Sequence, residues 1–233
     1  MTRLWIVSLF SIFLGFSSAI TFAAGEVKTL MVPKCDESPV VDGQADAVWS
    51  EIPATTDFCY PWRPDFPEPT SLKLCHDAKN LYLFWEVTDS TPVFLKQRDE
   101  MDIADEDRVE VYFEDQPSMK NYYSIETSPT GLALDYQCVY HRHFDFSWSF
   151  PGLVLAGERR ETGYTVEAAF PLEELRKLGL LKEDGTIRAG FYRADFERAA
   201  DGKVIQKWIS WINPIKPKED FHIPETLGLL KLE

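Results

Sequence analysis

The sequence predicts an all-β protein: an antiparallel β-sandwich, jelly-roll-like, with one short helix. Two observations support this fold class. First, roughly eleven short segments rich in β-branched and aromatic residues are separated by turns that contain proline or glycine. Second, only residues 171–178 carry both a helix start and a helix stop, with Pro171 in the first turn and Gly179 after the last residue. Such spacing without an internal repeat is typical of sandwiches and jelly rolls.

The N-terminus predicts a secretory signal peptide over residues 1–24. Arg3 supplies the positive charge, residues 4–16 are apolar, and small residues precede the expected cleavage site at Ala24. The apolar run is short for a membrane span, so we expect no membrane insertion after cleavage and an exported protein, periplasmic or extracellular. Residues 25–233 then form one domain, a size that all-β folds reach without division.

The first half of the mature chain begins with a strand and a helical turn at residues 44–49, where Trp49 is expected to pack on the sheet. Asp42-Gly43 before this turn is a turn signal. Residues 80–88 are apolar on both faces, as in a strand covered on both sides. The strands predicted in this half are residues 27–32, 54–60, 70–76 and 80–88.

The second half alternates more clearly between apolar and polar residues. In the strand 108–114, Val109 and Val111 share one face and Glu110 belongs to the other, polar face. Gly131 suits the turn of a hairpin, and Phe144 to Phe150 alternate as an apolar stripe. The remaining strands are predicted at residues 122–127, 132–136, 153–159, 163–170, 190–196, 204–212 and 227–232.

The formal charge is −14 for the whole chain and −15 once Arg3 is removed with the signal peptide. A protein this acidic repels phosphate backbones, so we expect no nucleic-acid partner. Four cysteines remain after export, which permits disulfides. Cys59 and Cys75 flank a proline-rich loop and are the favoured pair, which leaves Cys35 and Cys138 to bridge or to stay free.

Two aromatic residues stand in proline-rich loops and are candidates for ligand binding. Phe221, followed by His222, lies between the last two strands in a loop with three prolines, and a stiff loop loses little entropy on binding. Trp62 lies between Pro61 and Arg63. Each aromatic ring is either a platform for a flat apolar ligand face or a plug over the core, and the residues alone leave both interpretations open.

Oxygen-rich and histidine-containing segments raise the question of a metal. Asp89 at a strand exit, with Asp105 and Asp107 in the acidic segment 98–107, could supply calcium ligands, although a solvated loop explains the same residues. His141 and His143 are two apart, which suits chelation, but the nearby sequence offers no evident third ligand, so a solvated pair is the favoured interpretation.

From about residue 30 to the C-terminus the chain resembles carbohydrate-binding module family 9, in the wider DOMON-like group of sandwich domains that bind sugars or haem. The matching segments follow the family's order: VVDGQADAVW, LYLFWEVTD, DRVEVYFED, YYSIETSPTG, GYTVEAAFPLEEL, WISWIN and FHIPETLG. The resemblance implies a β-sandwich that binds a mono- or oligosaccharide without cleaving it, in carbohydrate catabolism; members of the family often bind calcium as well.

The resemblance also implies which residues bind the sugar. The family clamps a sugar between two tryptophans; one falls on Phe221 here, and the other falls on Ile103 or Ala104. The family's carboxylate on the VEV strand is Glu110. Ser124 stands where the family has an arginine, and Arg193 and Asp195 fall near its polar site positions.

Two other functions compete with sugar binding. A glycosidase would use paired carboxylates, which are plentiful in this chain. A haem-binding redox domain would need axial histidine or methionine ligands, and the sequence indicates no such pair, so no haem is expected.

Overall fold

A computed structural model describes residues 27–96 and 99–233, and the predicted signal peptide lies outside them. The described residues form thirteen strands in two sheets, with two short α-helices. The predicted all-β sandwich is confirmed. No helix among these residues is long and apolar enough to cross a membrane.

The larger sheet has the strand order β1-β13-β11-β5-β6-β7-β8, with β12 also paired to β11. All of its pairs are antiparallel except β1 with β13. Its strands are β1 (Thr29–Val32), β5 (Arg108–Glu114), β6 (Asn121–Thr127), β7 (Ala133–Val139), β8 (His143–Asp145), β11 (Thr186–Arg198), β12 (Val204–Ser210) and β13 (Gly228–Leu232).

The smaller sheet has the order β2-β3-β4-β10-β9 and is antiparallel throughout. Its strands are β2 (Ala54–Thr55), β3 (Thr70–His76), β4 (Asn80–Thr88), β9 (Val154–Arg160) and β10 (Gly163–Pro171). The predicted strand 54–60 is therefore much shorter, and only Cys59 makes a further bridge, to Ser210.

The helices are α1 (Ala47–Glu51) and α2 (Leu172–Lys177), each close to its predicted position. Trp49 of α1 is buried against Phe84, as expected, and its indole nitrogen donates to Glu167. Gly43 has φ +83°, and a Cβ there would meet the backbone of Gly157 at 2.8 Å, so the turn before α1 requires glycine.

The main core lies between the two sheets. Alternate residues of β5, β6 and β11 point into it, including Val111, Ile125 and Phe191, and meet Trp85 and Val166 of the smaller sheet. Because side chains alternate along a strand, the residues between them lie on the outer face of the larger sheet.

The outer face carries a second cluster of buried residues. Tyr112, Tyr122, Tyr136 and Tyr192 belong to it, and Phe221 from the β12–β13 connection packs on them. The polar face predicted for β5 is therefore covered, and every residue of Arg108–Glu114 is buried. This covered outer face holds the candidate site.

Two sequence-based expectations fail around the cysteines and the β7–β8 hairpin. All four cysteines are free thiols, and Cys59 bridges Ser210 while Cys75 lies in a cluster with Cys35, so the Cys59–Cys75 disulfide is wrong. The predicted stripe from Phe144 to Phe150 is split: β8 ends at Asp145, Phe144 and Phe146 are exposed, and Trp148 and Phe150 pack against the main core.

Candidate functional site

A cavity of about 190 Å³ opens on the outer face of the larger sheet, over β5, β6 and β12. The connection between β12 and β13 closes one side of it. Aromatic, acidic and basic side chains share its lining: Trp62, Arg108, Glu110, Tyr112, Glu126, Arg142, Trp208, Glu219, Asp220, Phe221 and His222. Four residues predicted from the sequence, Phe221, His222, Glu110 and Trp62, thus lie around one cavity.

The floor of the cavity is an ion-paired group on β5 and β6. Arg108 Nη2 lies 2.9 Å from Glu110 Oε1, and Arg108 Nε lies 2.7 Å from Glu126 Oε2. All three side chains are buried. One guanidinium therefore holds two carboxylates beneath the cavity, which fixes their orientation more firmly than solvent-exposed pairing would.

The tyrosines around this group hold the carboxylates from the sides. Tyr112 donates to Glu110 Oε2 at 3.2 Å, and Tyr136 donates to Glu126 Oε1 at 2.8 Å. Burial, followed by the charge of Glu126, raises the pKa of Glu110 well above its usual value, although Arg108 opposes the shift. The floor is thus a set of preoriented acceptors with one shared cation.

His222 lies beside the floor and is held by two phenols. Its Nδ1 lies 2.8 Å from the hydroxyl of Tyr122, and its Nε2 lies 3.3 Å from the hydroxyl of Tyr112. Burial and the nearby charge of Arg142 lower the pKa of His222 to about 3, so the ring is neutral near pH 7. Both ring nitrogens are engaged and the ring packs against Tyr112 and Phe144, so His222 presents only a small surface to the cavity.

Aromatic rings form a wall of the cavity. Phe221 is only 5% exposed and stacks on Tyr192 with 4.4 Å between ring centroids. Trp208 meets Phe221 edge-on at 5.7 Å, and Trp62 lies at 5.4 Å. Both tryptophans are partly exposed, and Trp62 is fixed by a hydrogen bond from its indole nitrogen to the carbonyl of Lys216. Phe221 thus supports the wall, and the tryptophans present its accessible surface.

Charged residues form the rim. Asp220 accepts from Arg142 at 2.7 Å and pairs with His141 at 2.8 Å. These contacts, together with its backbone donor at His222, lower the pKa of Asp220 although burial opposes the shift. The sequence suggests His141 and His143 as a candidate chelating pair. In the structure His141 contacts Asp220 instead.

Arg193 and Asp195 do not lie in the cavity. They follow Tyr192 at odd spacing on β11, so they point to the inner face, between the sheets. Arg193 bonds to Asp89 at 2.9 Å and to the carbonyl of Thr88 at 3.2 Å, both at the end of β4. The prediction that they line the same site as Glu110 is wrong, because a shift of one residue along a strand reverses the face.

The predicted metal ligands are only partly brought together. Asp89 and Asp107 approach Asp195, with one carboxylate oxygen of each within 4.8 Å of the others, whereas Asp105 is exposed and apart. Arg193 pairs with two of these aspartates, and both oxygens of Asp107 accept from the backbone nitrogens of Val93 and Phe196.

The cation at this position is the guanidinium of Arg193, which pairs with Asp89 and Asp195, so a calcium ion bound there would meet a positive charge. Burial raises the pKa of Asp107 to about 7, since its two backbone donors compensate only in part. A bound calcium stays a prediction of the family resemblance, without a suitable set among Asp89, Asp105 and Asp107.

Several lining residues are not singled out by the sequence. The strand pattern places Arg108 on a polar face without assigning it to a site, and it gives no reason to select Glu126, Trp208 or Arg142. The sequence could have identified one of them, Arg108. It is two residues before Glu110 on β5, so the two side chains lie on the same face of the sheet. The cross-strand register that places Glu126 opposite Glu110 is not visible in the sequence.

The fold and the cavity together define a β-sandwich with a ligand-sized cavity on one sheet face, lined by aromatic rings and paired charges. Residues 41–233 match the family described as carbohydrate family 9 binding domain-like, and the chain belongs to this family.

Solved structures with the same fold include two from different bacteria. A protein from Bacteroides uniformis, provisionally named as carbohydrate-binding, superposes with a TM-score of 0.72 at 16% identity, over 89% of this chain and 100% of that chain. A family 9 module from Caldicellulosiruptor kristjanssonii in complex with glucose superposes with a TM-score of 0.56 at 19% identity, over 88% of this chain and 96% of that chain. A family 9 module from the same organism has been solved with cellotriose.

A curated relative is the exoglucanase XynX of Acetivibrio thermocellus. The two sequences are 27% identical over 150 residues, which is 64% of this chain and 12% of the length of XynX. The chain therefore corresponds to a small part of that enzyme.

Proposed function

We propose that this chain is an exported, non-catalytic carbohydrate-binding protein that takes a neutral sugar into the cavity over Arg108. The observation that carries the proposal is the meeting of Trp62 and Trp208 with the buried carboxylates Glu110 and Glu126 in one cavity. Aromatic rings and preoriented charged acceptors are the two kinds of group that recognise a pyranose. The family assignment supports the same function.

The chemistry of a pyranose suits this lining. Its C–H groups form an apolar face that can stack on Trp208 or Trp62, and its hydroxyls can donate to Glu110 and Glu126. Arg108, which pairs with both carboxylates, holds these acceptor atoms in place before a ligand arrives. Stacking excludes water, and hydrogen bonds to charged groups are stronger in a site that excludes water.

The charge of the lining favours a neutral sugar over an anionic one. Arg108 and Arg142 face four acidic residues in the lining, and His222 is neutral. A uronic acid would bring another negative charge into this group and meet repulsion. Glucose and cellotriose, which are bound in the Caldicellulosiruptor structures, belong to the favoured neutral class. The four acidic residues are Glu110, Glu126, Glu219 and Asp220.

The paired carboxylates raise the possibility of glycoside hydrolysis, but their arrangement favours binding. Hydrolysis places two carboxyl groups on either side of the scissile bond. Glu110 and Glu126 instead lie on adjacent strands beneath the same side of the cavity and share Arg108. A turnover assay with aryl glycosides checks this: release of aryl alcohol that Glu110→Gln abolishes would replace the binding proposal with a hydrolytic one.

The experiment that tests binding is titration calorimetry of the mature chain with neutral monosaccharides (glucose, galactose, mannose and xylose) and with their trisaccharides. Glu110→Gln should weaken binding roughly ten- to a hundredfold, the effect of losing a hydrogen bond to a charged group. Glu86→Gln, at an exposed position on β4, is the control and should bind as the unchanged chain does. Absence of binding to the whole panel would overturn the proposal.

A repeat of the titration with a calcium chelator tests the ion implied by the resemblance. Lower affinity or stability in the chelator, restored by added calcium, would support a bound ion.

The location of the protein is checked by fractionation of expressing cells. The proposal expects a chain shortened at residue 24 outside the cytoplasm.

A further inference from the structure

A group of exposed aromatic rings lies on the β7–β8 hairpin, beside the cavity but outside its lining. Tyr140, Phe144 and Phe146 are 47%, 36% and 48% exposed, while most aromatic residues of the described chain are buried. Phe144 and Phe146 also touch each other, with ring centroids 5.7 Å apart. Clustered exposed apolar surface of this kind marks a binding surface more often than isolated exposed residues do.

The register of the hairpin places these rings on the same face as the cavity. Phe144 lies opposite Cys138, which belongs to the outer cluster with Tyr136. Phe146, two residues later, returns to the same face, and Tyr136 contacts both rings at 5.1 and 5.0 Å. We define Phe144 and Phe146 as the hairpin platform.

The hairpin platform is continuous with the cavity through His222. The ring of Phe144 lies 5.3 Å from the ring of His222, and His222 lines the cavity. Tyr136, beneath the platform, donates to Glu126 on the cavity floor. A ligand that leaves the cavity past His222 therefore meets Phe144 next.

The span from the cavity floor to the hairpin platform is also longer than one sugar ring. The cavity, at about 190 Å³, has room for one pyranose unit rather than a chain. The backbones of β5 and β8 are three strand spacings apart, roughly 14 Å. Between their side chains lies His222, which contacts Tyr112 next to Glu110 on one side and Phe144 on the other. A sugar unit seated over Glu110 is therefore separated from Phe144 by His222, whereas a further unit linked to it can pass His222 and reach the platform.

We propose that the hairpin platform is a second subsite, on which Phe144 and Phe146 stack the later units of a neutral oligosaccharide whose terminal unit occupies the cavity. This inference rests on the proposed function and adds the surface that holds the units of the ligand beyond the first. The platform contributes C–H stacking, and the cavity contributes the hydrogen bonds that orient the chain.

The test compares the affinities of the mature chain for a monosaccharide and for the trisaccharide of the same sugar, over the panel used above. The unchanged chain should bind the trisaccharide roughly three- to tenfold more tightly, the effect expected of one or two stacked rings. Phe144→Ala combined with Phe146→Ala should bring this ratio close to one. Met31→Ala, at an exposed position on the opposite edge strand β1, should leave the ratio as it is.

The outcomes separate the two proposals. If neither monosaccharides nor trisaccharides bind, the proposed function fails and the platform with it. If both bind with equal affinity, or if the double variant keeps the full ratio, the platform is overturned and the cavity alone is the site. Phe146→Ala is made separately, because Phe146 lies at the outer end of the platform and its loss should lower the ratio even if the double variant unfolds.

Discussion

Glu110 and Glu126 lie directly opposite each other on β5 and β6, both buried beneath the cavity. Like charges at directly opposed positions destabilise a sheet, so this pair needs compensation. Arg108 supplies it, with ion pairs to both carboxylates. Recognition and stability are therefore linked: the residues that could hold a sugar hydroxyl are the ones that the fold must neutralise.

Replacement of Arg108 should be costly to stability. Arg108→Met leaves two buried carboxylates without their cation, and the loss of one partner of a buried pair costs about 3–5 kcal/mol. Urea unfolding of the purified chain measures this loss in the free energy of unfolding. Arg160→Met, which breaks the exposed pair with Glu86, is the matched control and should cost less than about 1 kcal/mol. Equal losses in the two variants would contradict the compensating role of Arg108.

The aromatic wall should separate binding from stability. Phe221→Ala removes a buried ring and should destabilise the chain by about 3–5 kcal/mol, as Trp211→Ala should, since Trp211 is only 1% exposed in the main core. Trp208→Ala removes a partly exposed surface and should lower sugar affinity with a smaller loss of stability. Thermal unfolding and calorimetry of the three variants measure both quantities. A Trp208→Ala variant with unchanged affinity would remove Trp208 from the site.

Stability should depend on pH through His222. The pKa of this ring falls from 6.5 to about 3 on folding, so the unfolded chain binds more protons between these values. The stability contributed by this group is therefore complete above pH 6.5 and is lost as the pH falls towards 3. Within that window, lowering the pH by one should reduce the free energy of unfolding by up to about 1.4 kcal/mol.

His222→Gln keeps partners for Tyr112 and Tyr122 but does not titrate. The difference in unfolding free energy between the two proteins, measured from pH 7 to pH 4, should shift in favour of the variant as the pH falls. Asp107, with its raised pKa, affects both proteins equally and cancels in this difference. A difference that does not change with pH would contradict a neutral buried ring.

Oxidation should join Cys35 to Cys75. The thiols of Cys35 and Cys75 contact each other in one buried cluster, and the backbone nitrogen of Cys35 donates to the carbonyl of His76 at 2.9 Å. Burial raises the pKa of Cys75, which slows exchange, so the oxidation is run over a long incubation at alkaline pH. Under these conditions oxidised glutathione should convert the two thiols into one disulfide by thiol–disulfide exchange, with two molecules of reduced glutathione released. Alkylation and peptide mapping should then find Cys59 and Cys138 free. Recovery of all four cysteines alkylated after this oxidation and subsequent unfolding would contradict the pairing.

Local pattern alone determined most of the fold. Alternation in β5, the central strand Asn80–Thr88 and the proline and glycine that bound α2 depend on neighbours in sequence, and all three agree with the structure. The family segments, in their order, identified the sandwich. The site loop with Phe221 and His222 could also be chosen, because prolines mark its stiffness within one stretch of sequence.

Tertiary structure decided what depends on register and on distant partners. Arg193 and Asp195 are one and three residues after Tyr192 on β11, so they lie on the inner face while Tyr192 lies on the outer one. No local property of the sequence tells these two faces apart. The cross-strand pairing of Glu110 with Glu126, and the contact of Cys75 with Cys35 rather than Cys59, likewise join residues far apart in the chain. The order of residues determines which side chains alternate, but only the packed sheets determine which of them meet, because register is set by the whole core at once.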